Sequence, residues 1–253
     1  MFAVERQKRI LELLKENGAV WVSKLAEDLE VTEETIRRDL EKLEQKETLL
    51  RTHGGAVPIN DNNHELSLDK RKKLNSESKA KLAKEAVKHI VSGDTVFLDA
   101  STTTFYIAKE IKSLKNVTVV TNSLRVVEEL IDCEGIKVIA IGGVATLNQS
   151  MVGSIAENNI RSNYFANKVF FSSRGISTVG ILDSNEQECF IKQCMMKNST
   201  KKFFVCDKSK INKVGFVKLA QLDAVDCIIA EKEGFDEEII NILKDSNTEL
   251  LLV

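Results

Sequence analysis

A chain of 253 residues has room for two domains, and 43% hydrophobic with 29% charged residues is ordinary for a globular protein. No run of ~18 apolar residues occurs, and the charged N-terminus MFAVERQKRILELL lacks a signal-peptide core and cleavage site, so a cytoplasmic protein without a membrane-spanning helix is expected. The net charge of −2 excludes bulk electrostatic coating of nucleic acid; any DNA contact has to rest on a local patch.

By segment, residues 1–57 carry ten Lys/Arg against twelve Asp/Glu, residues 58–90 eight against five, and residues 91–253 eighteen against twenty-one. Residues 1–57 show helical periodicity only. Ile10, Leu11 and Leu14 form one face of a first helix that stops at Asn17-Gly18. Val22, Leu25, Ala26 and Leu29 recur at i, i+3, i+4, i+7 and define a second. After a turn at Glu30-Val31-Thr32, Thr32 caps a third helix with a packed face of Ile36, Leu40 and Leu43. Opposite that face stand Thr35, Arg38 and Lys42, with Arg37 on its flank. This division is what a helix-turn-helix needs, because one side packs and the other enters the major groove. Arginine presents a planar donor fork that fits guanine or phosphate. Yet Glu33–Arg37 and Glu34–Arg38 are also i,i+4 pairs, worth about 0.3–0.5 kcal/mol on any solvated helix. Charge alone leaves both readings open. The Gly54-Gly55 pair within Leu49–Val57 predicts a small hairpin, and Pro58, the only proline, opens a linker over 58–74.

From residue 75 helical patterns alternate with short apolar runs at 96–98, 117–120, 138–141, 169–171, 203–205, 227–229 and 250–253. Such runs fit strands buried on both faces, so residues 75–253 are expected to form an open, mostly parallel α/β domain. Small polar residues follow five of these strands: Asp99 with Ser101, Thr102, Thr103 and Thr104; Thr121, Asn122 and Ser123; Gly142 and Gly143; Arg174 and Gly175; Asp207, Lys208 and Lys210. Loops at the carboxyl ends of parallel strands line the ligand crevice, and helix N-termini there suit an anion. Any one loop is equally what turns and N-caps produce; five at equivalent ends favour a shared crevice. The five scattered cysteines form no C-x-x-C, so reduced thiols, no metal and no cofactor are expected.

Read as strings, ERQKRILELL, V-x-V-x-x-LA-x-x-L-x-V-T, ETIRRDLEKLE and LLRTHGGAV resemble the N-terminal signature of DeoR-family bacterial transcription regulators. The resemblance implies that Thr35, Arg37 and Arg38 contact double-stranded operator DNA, with Arg51 and His53 in a wing. Glu47 stands where the family usually has glycine, which implies a different cap after the third helix. D-x-S-T-T-T, V-T-N-S, I-G-G, Gly153 and V-C-D-K-S-K resemble the family's sensor domain, which is similar in fold to ribose 5-phosphate isomerase. Arg71, Asn75 and Lys79, at i, i+4, i+8, match the helix that opens it. The resemblance implies a phosphorylated sugar-like effector, a homodimer or homotetramer on paired half-sites, and repression of a sugar-utilisation operon. Ser101 and the Ser172-Ser173-Arg174-Gly175 stretch replace glycine-rich segments of the family and alter which ligand fits.

Two other functions compete. A sugar-phosphate isomerase-like enzyme would use Asp99, Glu188, Lys192 and Asp207 to move a proton beside a carbonyl. Glu188 and Lys192 are equally an i,i+4 pair on a solvated helix. A module that docks protein rather than DNA is the third reading. A helix-turn-helix has no use in a simple isomerase, so a regulator with no catalytic residue is expected.

Overall fold

The computed structural model describes residues 3–17, 19–45, 48–52, 54–58, 68, 71 and 74–253. The chain divides into two units, Met1–Ser67 and Leu68–Val253.

In the first unit the apolar spacing produces α1 (Ala3–Asn17), α2 (Val22–Asp28) and α3 (Glu33–Gln45). A two-residue β1 (Val20–Trp21) and the hairpin β2 (Leu49–Thr52) and β3 (Gly55–Pro58) complete it. The hairpin includes Pro58, which the sequence assigns to the linker. β3 lies between β1 and β2 in an antiparallel sheet, the wing of a winged helix-turn-helix. Ile10, Leu14, Val22, Leu25, Ile36, Leu40, Leu43 and Leu49 share one core. Glu30 adopts a left-handed conformation (φ 53°) that turns the chain between α2 and α3. At Gly55 a Cβ would lie 2.1 Å from the Val20 carbonyl oxygen, so only glycine admits β1 this close. Trp21, opposite Gly55 in register, keeps 58% of its surface exposed.

Beneath α3 lies a buried polar clamp. The Arg6 guanidinium of α1 is 2.5 Å from the Asp39 carboxylate of α3, and Gln7 Nε2 donates to Asp39 Oδ1 at 2.9 Å. Asp39 is 2% exposed. It fixes the rotation of α3 on α1, and hence which residues α3 turns outward.

The second unit is built on seven parallel strands in the order β15-β14-β12-β9-β4-β5-β6. These are β4 (Thr95–Leu98), β5 (Val117–Thr121), β6 (Ile136–Ala140), β9 (Ala166–Phe171), β12 (Ser199–Cys206), β14 (Cys227–Ala230) and β15 (Glu249–Leu252). All seven apolar runs are strands of this one sheet. Alternate side chains fill two separate cores. Val96, Leu98, Phe170 and Phe203 pack with α4 (Ser76–Val87), α5 (Thr102–Ile111) and α6 (Leu124–Leu130). Phe97, Phe171 and Phe204 pack with α7 (Ser154–Asn163), α8 (Glu186–Lys197) and α9 (Glu237–Asp245). Adjacent phenylalanines thus serve opposite faces: Phe170 stacks on Phe203 at 4.6 Å, and Phe171 meets Phe204 at a tilt with ring centroids 5.5 Å apart.

Two small antiparallel pieces stand outside the sheet. One is the hairpin β7 (Val144–Ala145) with β8 (Met151–Val152). The other comprises β10 (Gly175–Ser177), β11 (Gly180–Asp183) and β13 (Val217–Ala220). The chain winds outward from β4 to β6, returns as β9 beside β4, then winds the other way. The topological switch point therefore lies between β4 and β9, where an open parallel sheet opens its crevice. Among the described residues no helix is long and apolar enough to cross a membrane.

Candidate functional site

On α3, Arg37 and Arg38 are exposed and held in a row by their own helix: Arg37 Nη2 is 2.5 Å from Glu33 Oε2, and Arg38 Nε is 3.3 Å from Glu34 Oε1. Both i,i+4 pairs form, yet with side chains 56% and 73% exposed they remain reachable by a phosphate. Thr32 caps the helix by accepting from the Thr35 N–H at 3.3 Å, and its hydroxyl meets that of half-buried Thr35 at 2.9 Å. Lys42 is exposed one turn further on. Glu44 fastens the wing: its carboxylate accepts from the Arg51 N–H at 3.0 Å and lies 3.5 Å from Arg51 Nε. Arg37, Arg38 and Arg51 thereby border a cleft of about 240 Å³ with Glu34, Glu41 and Gly54. His53 and Glu47 lie outside the described residues.

Within the seven-stranded sheet every strand pair is parallel, so the five polar loops leave the same edge of that sheet. At the switch point Asp99, fully buried, accepts from Thr104 Oγ1 (2.7 Å), the Ser101 N–H (3.1 Å) and the Ser172 N–H (3.3 Å). It joins the loop after β4 to the loop after β9. Lys192 reaches in from α8, its ammonium 2.5 Å from Asp183 Oδ2 and 3.4 Å from Asp99 Oδ2. Burial pulls the Lys192 pKa down, but Asp183, Asp99 and Glu188 outweigh it and hold the pKa above the ordinary lysine value. The lysine thus bridges two carboxylates. Glu188 in turn accepts from Ser150 Oγ (2.8 Å) and Asn148 Nδ2 (3.1 Å) of the β7–β8 turn.

The candidate residues divide by what they already do. Ser101 and Ser123 cap α5 and α6 through Thr104 N–H (3.2 Å) and Val126 N–H (3.3 Å). The Thr121 hydroxyl donates to the Leu98 carbonyl at 2.7 Å, tying β5 to β4, and Thr102, Thr103 and Thr104 are buried. Gly143 is required by packing: at φ 122° its Cβ would sit 2.7 Å from the Val152 carbonyl oxygen. Gly142 is also left-handed, at φ 72°. Gly175 lies within β10, where a Cβ would meet the Lys213 carbonyl oxygen at 2.2 Å. Arg174 is half-buried just before it. Lys208 is spent on Glu233 at 2.6 Å on the exposed side of its turn. Lys210 is half-buried close to Asp207, which accepts from the Ser209 N–H at 3.0 Å. Two polar atoms at this edge, Asn122 Oδ1 and Ser172 Oγ, are buried with no hydrogen-bond partner among the described residues. The sequence reading omitted Asp183, Asn148 and Ser150, and on the DNA side Arg6, Gln7 and Asp39. Asp39 carried a signal, since it falls three residues after Ile36 on the packed face of α3, where a carboxylate needs a partner.

A model of the DeoR-like helix-turn-helix domain matches residues 6–62, and one of the DeoR C terminal sensor domain matches residues 74–232. The chain is 37% identical to an uncharacterized HTH-type transcriptional regulator, YulB, of Bacillus subtilis (strain 168), covering 100% of this chain and 98% of that one. It is 33% identical to the lactose phosphotransferase system repressor of Lactococcus lactis subsp. lactis, covering 90% of this chain and 91% of the relative. A solved ribose 5-phosphate isomerase A from Methanocaldococcus jannaschii overlaps 55% of this chain and 56% of its own at 16% identity and a TM-score of 0.41, too slight a likeness to bear on function. Two domain matches in the right order and full-length kinship with regulators leave one assignment: the chain belongs to the DeoR family of helix-turn-helix transcription regulators, and it is not an enzyme.

Proposed function

We propose that this cytoplasmic regulator represses a sugar or sugar-phosphate metabolism operon and is released from its operator by a phosphorylated sugar-like effector. α3 enters the major groove with Thr35, Arg37, Arg38 and Lys42, while Arg51 and His53 in the wing meet the backbone or minor groove. The observation that carries the DNA reading is the row of exposed cations on α3, opposite a fully packed face and beside Arg51. A homodimer or homotetramer places two such helices on paired half-sites.

Arg37→Ala and Arg38→Ala test it on an operator selected from random-sequence duplexes. Each replaced base or phosphate contact weakens binding roughly tenfold to a hundredfold, while losing an exposed i,i+4 pair costs about 0.3–0.5 kcal/mol of stability. Affinity should also fall steeply with salt, and less steeply in either variant. Undiminished operator binding in the double variant would remove α3 as the reading helix.

The effector reading rests on the crevice at the β4–β9 switch point. Ser172 Oγ in the loop after β9 and Asn122 Oδ1 in the loop after β5 are buried without a hydrogen-bond partner among the described residues, which supports a polar ligand at this edge, where Asp99, Glu188, Lys192 and Asp207 are candidate contacts. Capping residues Ser101 and Ser123 set helix N-termini on the same edge, where an anionic group is favoured. A ligand at a hundred times its Kd stabilises the native state by about 2.7 kcal/mol. A thermal-shift panel of ribose 5-phosphate, glucose 6-phosphate, fructose 1-phosphate and inorganic phosphate should therefore contain at least one compound that raises the unfolding temperature of the sensor. That compound should also weaken operator binding; a panel without effect counts against a sugar phosphate.

A further inference from the structure

Arg71, Asn75 and Lys79 are used neither by the DNA-reading surface nor by the sheet edge itself, yet each is gripped by residues of the crevice loops. Arg71 Nη2 donates to Asn148 Oδ1 at 3.0 Å, and the same Asn148 donates through Nδ2 to Glu188 at 3.1 Å. Asn75, in a left-handed conformation (φ 54°), donates through Nδ2 to Asp207 Oδ1 at 3.0 Å just before α4 begins. Lys79 is 3% exposed; its ammonium donates to the Arg71 carbonyl at 2.9 Å and to the Leu74 carbonyl, with Asp207 Oδ2 at 3.9 Å. Burial lowers the Lys79 pKa, and Lys210 and Arg71 add to this against the opposing pull of Asp207. Lys79 thus holds the backbone carbonyls of Arg71 and Leu74, the post-β12 turn holds the Asn75 side chain and the β7–β8 turn holds the Arg71 side chain. Arg71, Leu74 and Asn75 are also in the part of the second unit that follows directly on the segment leading out of the first.

We propose that Arg71, Asn75 and Lys79 form a latch between the crevice loops and the N-terminal part of the second unit, and that an effector opens it by taking Asn148 away from Arg71. Its trigger rests on the effector reading above; its geometry does not. A sugar presents hydroxyls that both donate and accept, so one bound beside Glu188 competes for the same amide that holds the guanidinium. Breaking that bond removes the grip of the β7–β8 turn on Arg71, while Asp207 keeps its bond to Asn75 and Lys79 its bonds to the Arg71 and Leu74 carbonyls. The latched state is the operator-binding one, and a ligand shifts the balance only through its preference for the unlatched state.

The test uses the full chain with no ligand first. Arg71→Gln, Asn148→Ala and their double variant are compared with wild type for operator affinity and for amide exchange over residues 74–79. Each single change should weaken operator binding fivefold or more and speed exchange in that segment about tenfold. The double should fall short of the product of the two singles, because the Arg71–Asn148 bond they share can be lost only once. Unchanged affinity and exchange in the singles, or effects that multiply in the double, overturn the latch. The ligand arm uses whichever of the four panel compounds shifts wild type most. By reciprocity Arg71→Gln should bind it several-fold more tightly than wild type; equal or weaker binding overturns the trigger. If no compound shifts wild type, the effector reading fails, and the ligand-free arm still decides the latch.

Discussion

Replacing Asp39 with alanine is expected to lower the unfolding temperature of the DNA-binding unit by roughly 12 °C or more. The Arg6 guanidinium and the Gln7 amide lose the buried carboxylate on which both converge. Removing one member of a buried ion pair costs about 3–5 kcal/mol, and in a domain of under a hundred residues each kcal/mol is worth about 4–8 °C. Calorimetry of the full chain should show the early transition moving and the sensor transition staying. An alanine variant that melts with wild type would mean the pair contributes nothing net. The functional consequence follows from geometry. Asp39 lies one position after Arg38, so whatever loosens its grip on α1 also frees the helix to rotate its cations out of line.

The second large effect belongs to Lys192. Lys192→Met leaves Asp99 and Asp183 facing each other across a buried space without the cation between them. A loss of about 3–5 kcal/mol is expected, which in a domain near two hundred residues moves the sensor transition by roughly 6–20 °C. Adding Asp183→Asn to that variant should restore most of the loss, because a buried pair replaced as a whole is often close to neutral. If the double variant is no better than the single, the cost arises from packing and the electrostatic account fails. The pH dependence has a definite sign. The folded pKa of Lys192 is raised, so its contribution is fully present below the unfolded value of 10.5 and declines as pH climbs above it. Urea titrations at alkaline pH should show this decline in wild type and lack its Lys192 component in the double variant.

Legibility in the sequence followed from how each feature is encoded. The five inner strands of the sheet were visible because they are buried on both faces, which writes an apolar run into the chain, and the half-exposed edge strands β6 and β15 still carry apolar runs at 138–141 and 250–253. The third helix was visible because Ile36, Leu40 and Leu43 alternate with charges at helical spacing. Short antiparallel pieces such as β7–β8 and β10–β11–β13 were missed, since strands of two to four residues carry no period. The loops after β4, β5, β9 and β12 could be placed at one edge because parallel strands force it. What each hydroxyl does within them could not be read. Thr121 and Ser101 look identical in composition, yet one ties two strands and the other caps a helix. Long-range polar partners were least legible: Asp183 and Asn148 meet Lys192, Glu188 and Arg71 only through the fold.

Trp21 sits at the root of the wing, mostly exposed and paired in register with Gly55, and it is the sole tryptophan of the chain. Its indole emission therefore originates wholly in the DNA-reading half, while the tyrosines Tyr106 and Tyr164 belong to the sensor half. Excited at the red edge of indole absorption, where tyrosine does not absorb, an unlabelled sample reports on the DNA-reading half alone. Signals arriving there from the sensor half can be timed without attaching a dye to either.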